Sequence, residues 1–317
     1  RTHPKQILQR KIHRELLRHD KPMKLIVISQ KVDINDDNLG FFHRMLEKLS
    51  QKLDKVFSVC LWQGEYRLSE NVEVFSLSKE KSYSKLRQFF RLQKFLLKHL
   101  KEADGVFCHM CPIYAMASFP LAKIFRKKLI LWYAHGAVNY KLRLAEKLVD
   151  AILTSSSDGC RLKSKKIKVL GQGIDTELFR PKYNPNAPND FRILYAARLV
   201  PIKDHKTLIE AINILVSQRN IKNIKARIIG KPLLESQQEY LDQLKSLVKN
   251  YNLQDYIEFL NGVSYFEMPR YYQEADLFVN PSSTGSLDKV VLEAMASGCL
   301  VLNCNEAYQE ILPEKYL

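Results

Sequence analysis

The chain has 317 residues, 46% of them hydrophobic, with a formal net charge of +16. That length suits two domains, that apolar content excludes disorder as the main state, and no apolar run is long enough to span a bilayer. The charge is lopsided: residues 1–182 hold 36 Lys and Arg against 18 Asp and Glu, and residues 183–317 hold 14 against 16.

Residues 1–22 are basic, and Met23 sits directly before the strand-like run KLIVIS, so 1–22 read as a basic N-terminal extension. Further strand-like runs follow: FSVCLW, VEVFSL, GVFCHM, KLILWYA, AILTSS and IKVLGQG. Helical periodicity fills the gaps at 39–53, 81–102, 113–126 and 140–149. RPKYNPNAPND, with three Pro and three Asn in eleven residues, reads as a linker. The alternation then restarts with RILYAA, ARIIG, YIEFLN, LFVNPS and LVLNC, separated by helices near 205–218, 235–251 and 287–297. Strand alternating with helix predicts α/β architecture with parallel sheets and right-handed crossovers. The expected fold is two Rossmann-like domains, 23–182 and 183–317, facing each other across a cleft. The chain ends at EAYQEILPEKYL just as another helix begins, so the second domain is expected to be truncated at its C-terminus. Six scattered Cys, mostly within apolar runs, read as reduced, buried thiols.

Open parallel sheets bind ligands at the carboxyl ends of their strands. In ILYAARLVPIKDHKTLIEAI, Arg198 and Lys203 occupy the turn between a buried strand and a helix start. Two cations and a helix dipole suit a diphosphate, although surface cations in water would give the same sequence. In PSSTGSLDKVVLEAMASG a strand again empties through a permissive turn into a helix. Free N–H groups at Thr284, Gly285, Ser286 and Leu287 suit anionic or hydroxylated ligand groups. Glu293, flanked by Leu292 and Ala294, is deep for a carboxylate; it calls for sugar hydroxyls, or else for an ordinary helix salt bridge. His135 and Gly136 follow a buried strand of the first domain, which puts a polar ring on the facing wall or a structural histidine in a turn.

Together ARLVPIKDHKTLIEA, GQGIDTELFRP and ADLFVNPSSTGSLDKVVLEAMASGCLVL resemble the retaining nucleotide-sugar glycosyltransferases of family 4, whose two Rossmann domains form the GT-B fold. LGFFHRMLEKL and AHG resemble that family's first-domain loops, so the likeness covers roughly residues 23–317. The resemblance implies that Arg198 and Lys203 clamp the donor diphosphate and stabilise the leaving group. It implies ribose binding by Glu293, base contact near Gly262 and Val263, a sugar-facing His135, and a Gly40 that lets its loop approach the phosphates. Asp175, in GQGIDTELF, fits a pin between the domains better than a chemical role. One departure stands out. The family places an acid eight residues before the ribose-binding Glu, and here that position is Gly285, leaving Thr284 or Asp288 as substitutes.

No Asp-x-Asp occurs, so a bridging metal is not demanded; Arg198 and Lys203 supply positive charge instead. CHMC at 108–111 lacks the second pair that a zinc site needs, and His109 and Met110 read as lining the first-domain wall. The implied activity is transfer from a UDP- or GDP-sugar, with retained configuration, to a polysaccharide or lipid-linked acceptor, with no cofactor beyond the donor. The alternative is a GT-B nucleotide- or glycan-binding module without turnover. Segment 79–101 carries eight Lys and Arg against one Glu, with Leu86, Phe89, Phe90, Leu97 and Leu100 at helical spacing. It is expected to pack that stripe on its sheet while its cations face water or an anionic membrane surface. With no nucleic-acid module recognisable, nucleic acid is not expected as a partner. The expected location is the cytoplasm, peripheral on the inner face of the membrane.

Overall fold

The computed structural model describes residues 22–182, 190–283 and 287–312. The basic extension up to residue 21, most of the linker, Thr284–Ser286 and the last five residues lie outside the described residues.

The apolar runs become strands β1 (Lys24–Val32), β2 (Lys55–Gln63), β3 (Val72–Ser76), β4 (Gly105–His109), β5 (Lys128–Trp132), β6 (Ala151–Thr154) and β7 (Ile167–Val169). They form one sheet in the order β3-β2-β1-β4-β5-β6-β7, parallel throughout. After the linker come β8 (Phe191–Ala196), β9 (Ile224–Ile229), β10 (Ile257–Leu260), β11 (Leu277–Asn280) and β12 (Leu300–Asn303). These form a second parallel sheet in the order β10-β9-β8-β11-β12. The helices are α1 (Gly40–Ser50), α2 (Lys85–His99), α3 (Pro112–Ile124), α4 (Tyr140–Leu148), α5 (His205–Asn213), α6 (Glu235–Asn250), α7 (Met268–Glu274) and α8 (Lys289–Ala296).

The strands are nearly continuous in apolar residues because helices cover both faces of the sheet. Alternate residues of β1 show this: Ile26 and Ile28 pack with Phe95, Leu96 and Leu131, whereas Val27 packs with Phe42 and Leu46. The second sheet has its own core, in which Ile209, Tyr272, Phe278 and Val291 are fully buried. Strand order reverses between β1 and β4 in one sheet and between β8 and β11 in the other. These reversals open crevices at the strands' carboxyl ends, where the expected site residues fall.

Helix α2 corrects one expectation. Its buried face is Leu92, Phe95, Leu96 and His99, joined by Leu100 just past its end. Leu86, Phe89, Phe90 and Leu97 are exposed instead. The segment has two apolar faces at helical spacing, and only the face that includes Leu92 and Leu96 reaches the sheet. Lys85, Arg87, Lys94 and Lys98 share the exposed side.

Helix α1 is the meeting point of the two sheets' units. Arg44 Nε lies 2.5 Å from Asp175 Oδ2, and Arg44 also pairs with Glu47 at 2.6 Å. Lys48 pairs with Glu177. Burial alone would raise the Asp175 carboxyl, but the Arg44 hydrogen bond, a backbone N–H and nearby cations leave it below the usual range. Asp175 thus ties α1 to the segment that leads towards the second sheet, as expected of a pin.

Candidate functional site

At the end of β8 the chain turns sharply. Gly230, after β9, is needed here, because a Cβ on it would stand 2.3 Å from the Ala197 carbonyl oxygen. Arg198 follows, exposed, and among the described residues its guanidinium has no partner. Pro201–Lys203 form a single tight helical turn. Asp204, at φ 50°, then accepts from the Thr207 N–H at 3.3 Å to cap α5.

Lys203 behaves differently from its neighbour Arg198. It is buried at 8% exposure, and its carbonyl accepts from the Tyr195 hydroxyl. Its Nζ lies 2.7 Å from Asp288 Oδ1, with the Ser282 hydroxyl at 3.4 Å. The cation expected to face a ligand is therefore joined to the carboxylate that precedes α8. The other Asp288 carboxylate oxygen, Oδ2, accepts from Asn280 Nδ2 at 3.4 Å, and the Asp288 carbonyl accepts from the Tyr308 hydroxyl at 2.5 Å.

Past β11, Pro281 leads into the turn. Thr284, Gly285 and Ser286 lie outside the described residues, whereas Leu287 is buried in the second core. On α8, Glu293 is 4% exposed and accepts from the Tyr272 hydroxyl at 3.1 Å. Burial pushes its carboxyl up to about 7, against the opposing pull of Tyr272 and Lys289. Lys289 lies one turn earlier on the same face, half-buried. Its Nζ lies over the Phe41 ring of the first unit. Burial pulls Lys289 down to about 7, with Glu293 opposing. His109, at the end of β4, packs its ring at a tilt, 5.0 Å from Phe42 and 5.8 Å from Phe41. Burial first, and then the Lys289 charge, lower it to about 3, so it is a neutral imidazole.

The remaining expected residues have contacts of their own. Gly40 is buried at the start of α1, where a Cβ would meet Tyr265 Cβ at 3.1 Å, so it permits close approach to the second unit. Gly262 faces the Asp37 carboxylate closely enough that a Cβ would stand 1.8 Å from Oδ2. Asp37 also takes Lys231 Nζ at 3.0 Å. Val263 packs at the edge of the second core. His135 is exposed beyond β5, its Nδ1 accepting from the Ala137 N–H at 3.0 Å. The fold thus joins Lys203 to Asp288 and sets Glu293 one turn behind; among the described residues His135 touches none of them. An open cavity of about 660 Å³ lies beside α1 between Asn35, Arg67, Ser264 and Phe266, and none of the expected site residues lines it.

Sequence reasoning missed three participants. Tyr272 and Asp37 reach the site only through tertiary packing. Lys289 had a usable signal, since i and i+4 share a helix face, and Glu293 was already singled out.

Two facing parallel-sheet units with a crevice at each strand-order reversal define a GT-B architecture. Residues 176–310 match the family of glycosyl transferases group 1. The D-inositol 3-phosphate glycosyltransferase of Pseudarthrobacter chlorophenolicus is 27% identical over 173 residues, which is 50% of this chain and 40% of that protein. The amylovoran biosynthesis glycosyltransferase AmsK of Erwinia amylovora is 33% identical over 151 residues, 46% of this chain and 35% of that protein. The matched segments thus span less than half of these relatives. Among solved structures, HepE of Anabaena in complex with UDP-glucose superposes with a TM-score of 0.68 at 16% identity, covering 92% of this chain and 83% of that one. Sucrose-phosphate synthase of Thermosynechococcus elongatus gives 0.70 at 18% identity, covering 92% and 84%. At such identities these two likenesses establish the fold. Among the described residues no helix is long and apolar enough to cross a membrane.

Proposed function

We propose that this chain is a retaining glycosyltransferase that moves a sugar from a UDP- or GDP-sugar to a polysaccharide or lipid-linked acceptor. The observation that carries the reading is the crevice between β8 and β11. There Arg198, exposed and without a partner among the described residues, follows β8, and the buried Glu293 lies on α8 after β11. Glu293 takes the ribose hydroxyls, and Arg198 with the N-terminal end of α8 takes the diphosphate. As the glycosidic bond to the donor breaks, negative charge grows on the departing diphosphate, and a guanidinium already in place stabilises it most where it is largest. His135 faces the transferred sugar from the first unit, and Gly262 and Val263 lie where the base would lie. This assignment places no bridging metal, because the chain itself provides positive charge at the diphosphate. The named relatives that act as glycosyltransferases support the reading, as does the UDP-glucose bound by HepE.

Gly285, standing where the resemblance implies an acid, favours a second reading in which the scaffold binds nucleotide or glycan without turnover. One experiment separates the two. Thermal shift with UDP and GDP, followed by hydrolysis and transfer assays with their sugars, is expected to show both stabilisation and turnover. Binding without either activity would move the conclusion to the module; no response to any nucleotide would remove both.

The acceptor side has its own signature in α2. Phe90 is 61% exposed and Leu86 66%, among four exposed cations. That composition suits an anionic lipid surface, with aromatic groups entering the headgroup region and cations drawn by surface charge. This would place the protein peripherally on the cytoplasmic face of a membrane. Replacing Phe89 and Phe90 together by serine is expected to reduce co-sedimentation with vesicles containing phosphatidylglycerol by about tenfold, with little binding of either form to phosphatidylcholine. Equal binding of variant and parent would rule out this face.

A further inference from the structure

Three cations, Arg198, Lys203 and Lys289, follow the adjacent strands β8 and β11 of the second sheet, and their surroundings rank them differently from their order in the sequence. Lys203 is tied to Asp288 at 2.7 Å, with both side chains mostly buried. Its charge is already balanced, and withdrawing it would strand a carboxylate in a desolvated place. Arg198 is exposed and has no partner among the described residues. Lys289 has no carboxylate within ion-pair distance among the described residues, yet it is half-buried between the units. Its ammonium rests on the Phe41 ring, a weak partner compared with an anion.

The position of Lys289 follows from helix geometry. If Glu293 holds the ribose, the residue four earlier on the same face lies one turn, about 5.4 Å, nearer the helix start. In a bound nucleotide the phosphates lie next to the ribose, and the helix start is where free N–H groups and the dipole favour them. Phe41, directly after Gly40, closes the space from the first unit. The titratable groups that face Lys289 are Glu293 on its own helix and His109 at the end of β4.

We propose that Lys289 is a positioning residue for the donor diphosphate, acting with Arg198 in the part that the sequence pattern gives to Lys203. The assignment rests on the donor-site reading above. A lysine depressed by burial regains its proton when a diphosphate arrives, so binding at pH 8 takes up a proton from solvent. Glu293 is ionised at that pH and does not mask the uptake.

The test is calorimetric titration of UDP, GDP, uridine and guanosine at pH 8, in two buffers of different ionisation enthalpy. Lys289→Met is expected to weaken the bound diphosphate at least about tenfold while leaving its nucleoside unchanged, and to abolish proton uptake. Lys289→Arg, which keeps the charge, is expected to stay within a few-fold of the parent. A methionine variant that unfolds at the same temperature as the parent and binds the diphosphate equally well would overturn the assignment alone. Equal losses for diphosphate and nucleoside would do the same, because the lysine would then act on the base or the fold. A parent protein that binds neither UDP nor GDP would overturn the donor-site reading, and this proposal with it.

Discussion

Arg198→Ala is expected to lower the rate of sugar transfer by about 10²–10³-fold with a smaller change in donor KM. The guanidinium is exposed and has no partner among the described residues, so removing it strands no buried group there and leaves the fold intact. Its interaction strengthens as charge collects on the leaving diphosphate, which puts the loss mainly in kcat. Lys203→Ala is expected to behave otherwise, although both residues lie in one short turn. It leaves the Asp288 carboxylate without its 2.7 Å partner in a mostly buried place. Removing one member of such a pair costs about 3–5 kcal/mol of stability, so the variant should unfold at a markedly lower temperature. Steady-state kinetics and thermal unfolding on both variants distinguish the roles. A full-rate Arg198→Ala enzyme would remove the arginine from the mechanism.

Glu293→Gln is expected to raise donor KM by about 10- to 100-fold, the value of hydrogen bonds to a charged acceptor. Its second effect is on pH dependence. Burial holds the carboxyl at about 7, so in the unliganded protein it is protonated below that pH. Ribose hydroxyls need an acceptor, so binding must first remove that proton. Donor affinity should fall as pH drops below about 7, by at most tenfold per unit. Glutamine has no such proton, so its KM should be flat there. The stability of the unliganded protein moves the opposite way with pH. Between the ordinary carboxyl value of 4.5 and about 7, the folded state keeps a proton on Glu293 that the unfolded chain has lost. Stability from this group therefore declines as pH rises through that window. Unfolding curves at pH 5 and pH 7 for parent and variant check the sign. A parent KM as flat as the variant's would contradict the role of Glu293.

The strands were legible because a parallel sheet covered on both faces demands apolar runs such as KLIVIS and RILYAA, and no other element demands them at that length. Two parallel-sheet units followed from the restart of the alternation after RPKYNPNAPND. The site was legible only at the level of loops. Arg198 and Lys203 look alike in sequence, and the carboxylate that distinguishes them, Asp288, lies 85 residues further on, at the start of α8. Gly262 meets Asp37, and Gly40 meets Tyr265, across the seam between the units, so no local pattern signals either contact. In α2 both apolar faces have the helical period, and periodicity alone does not say which of them the sheet will cover.

Lys289 and Glu293 stand one helical turn apart, and burial brings both to about the same proton affinity, near 7. An acid and an amine so matched have the same total charge whether the proton sits on oxygen or on nitrogen. On the assignments made above, the donor needs oxygen bare for the ribose and nitrogen protonated for the phosphates. At pH 7 the proton that Glu293 gives up for the ribose and the one that Lys289 takes up for the phosphates therefore balance on average, with no net draw on solvent. Heats of nucleotide binding at that pH should then be indifferent to the buffer, although at pH 6 and pH 8 they depend on it with opposite signs.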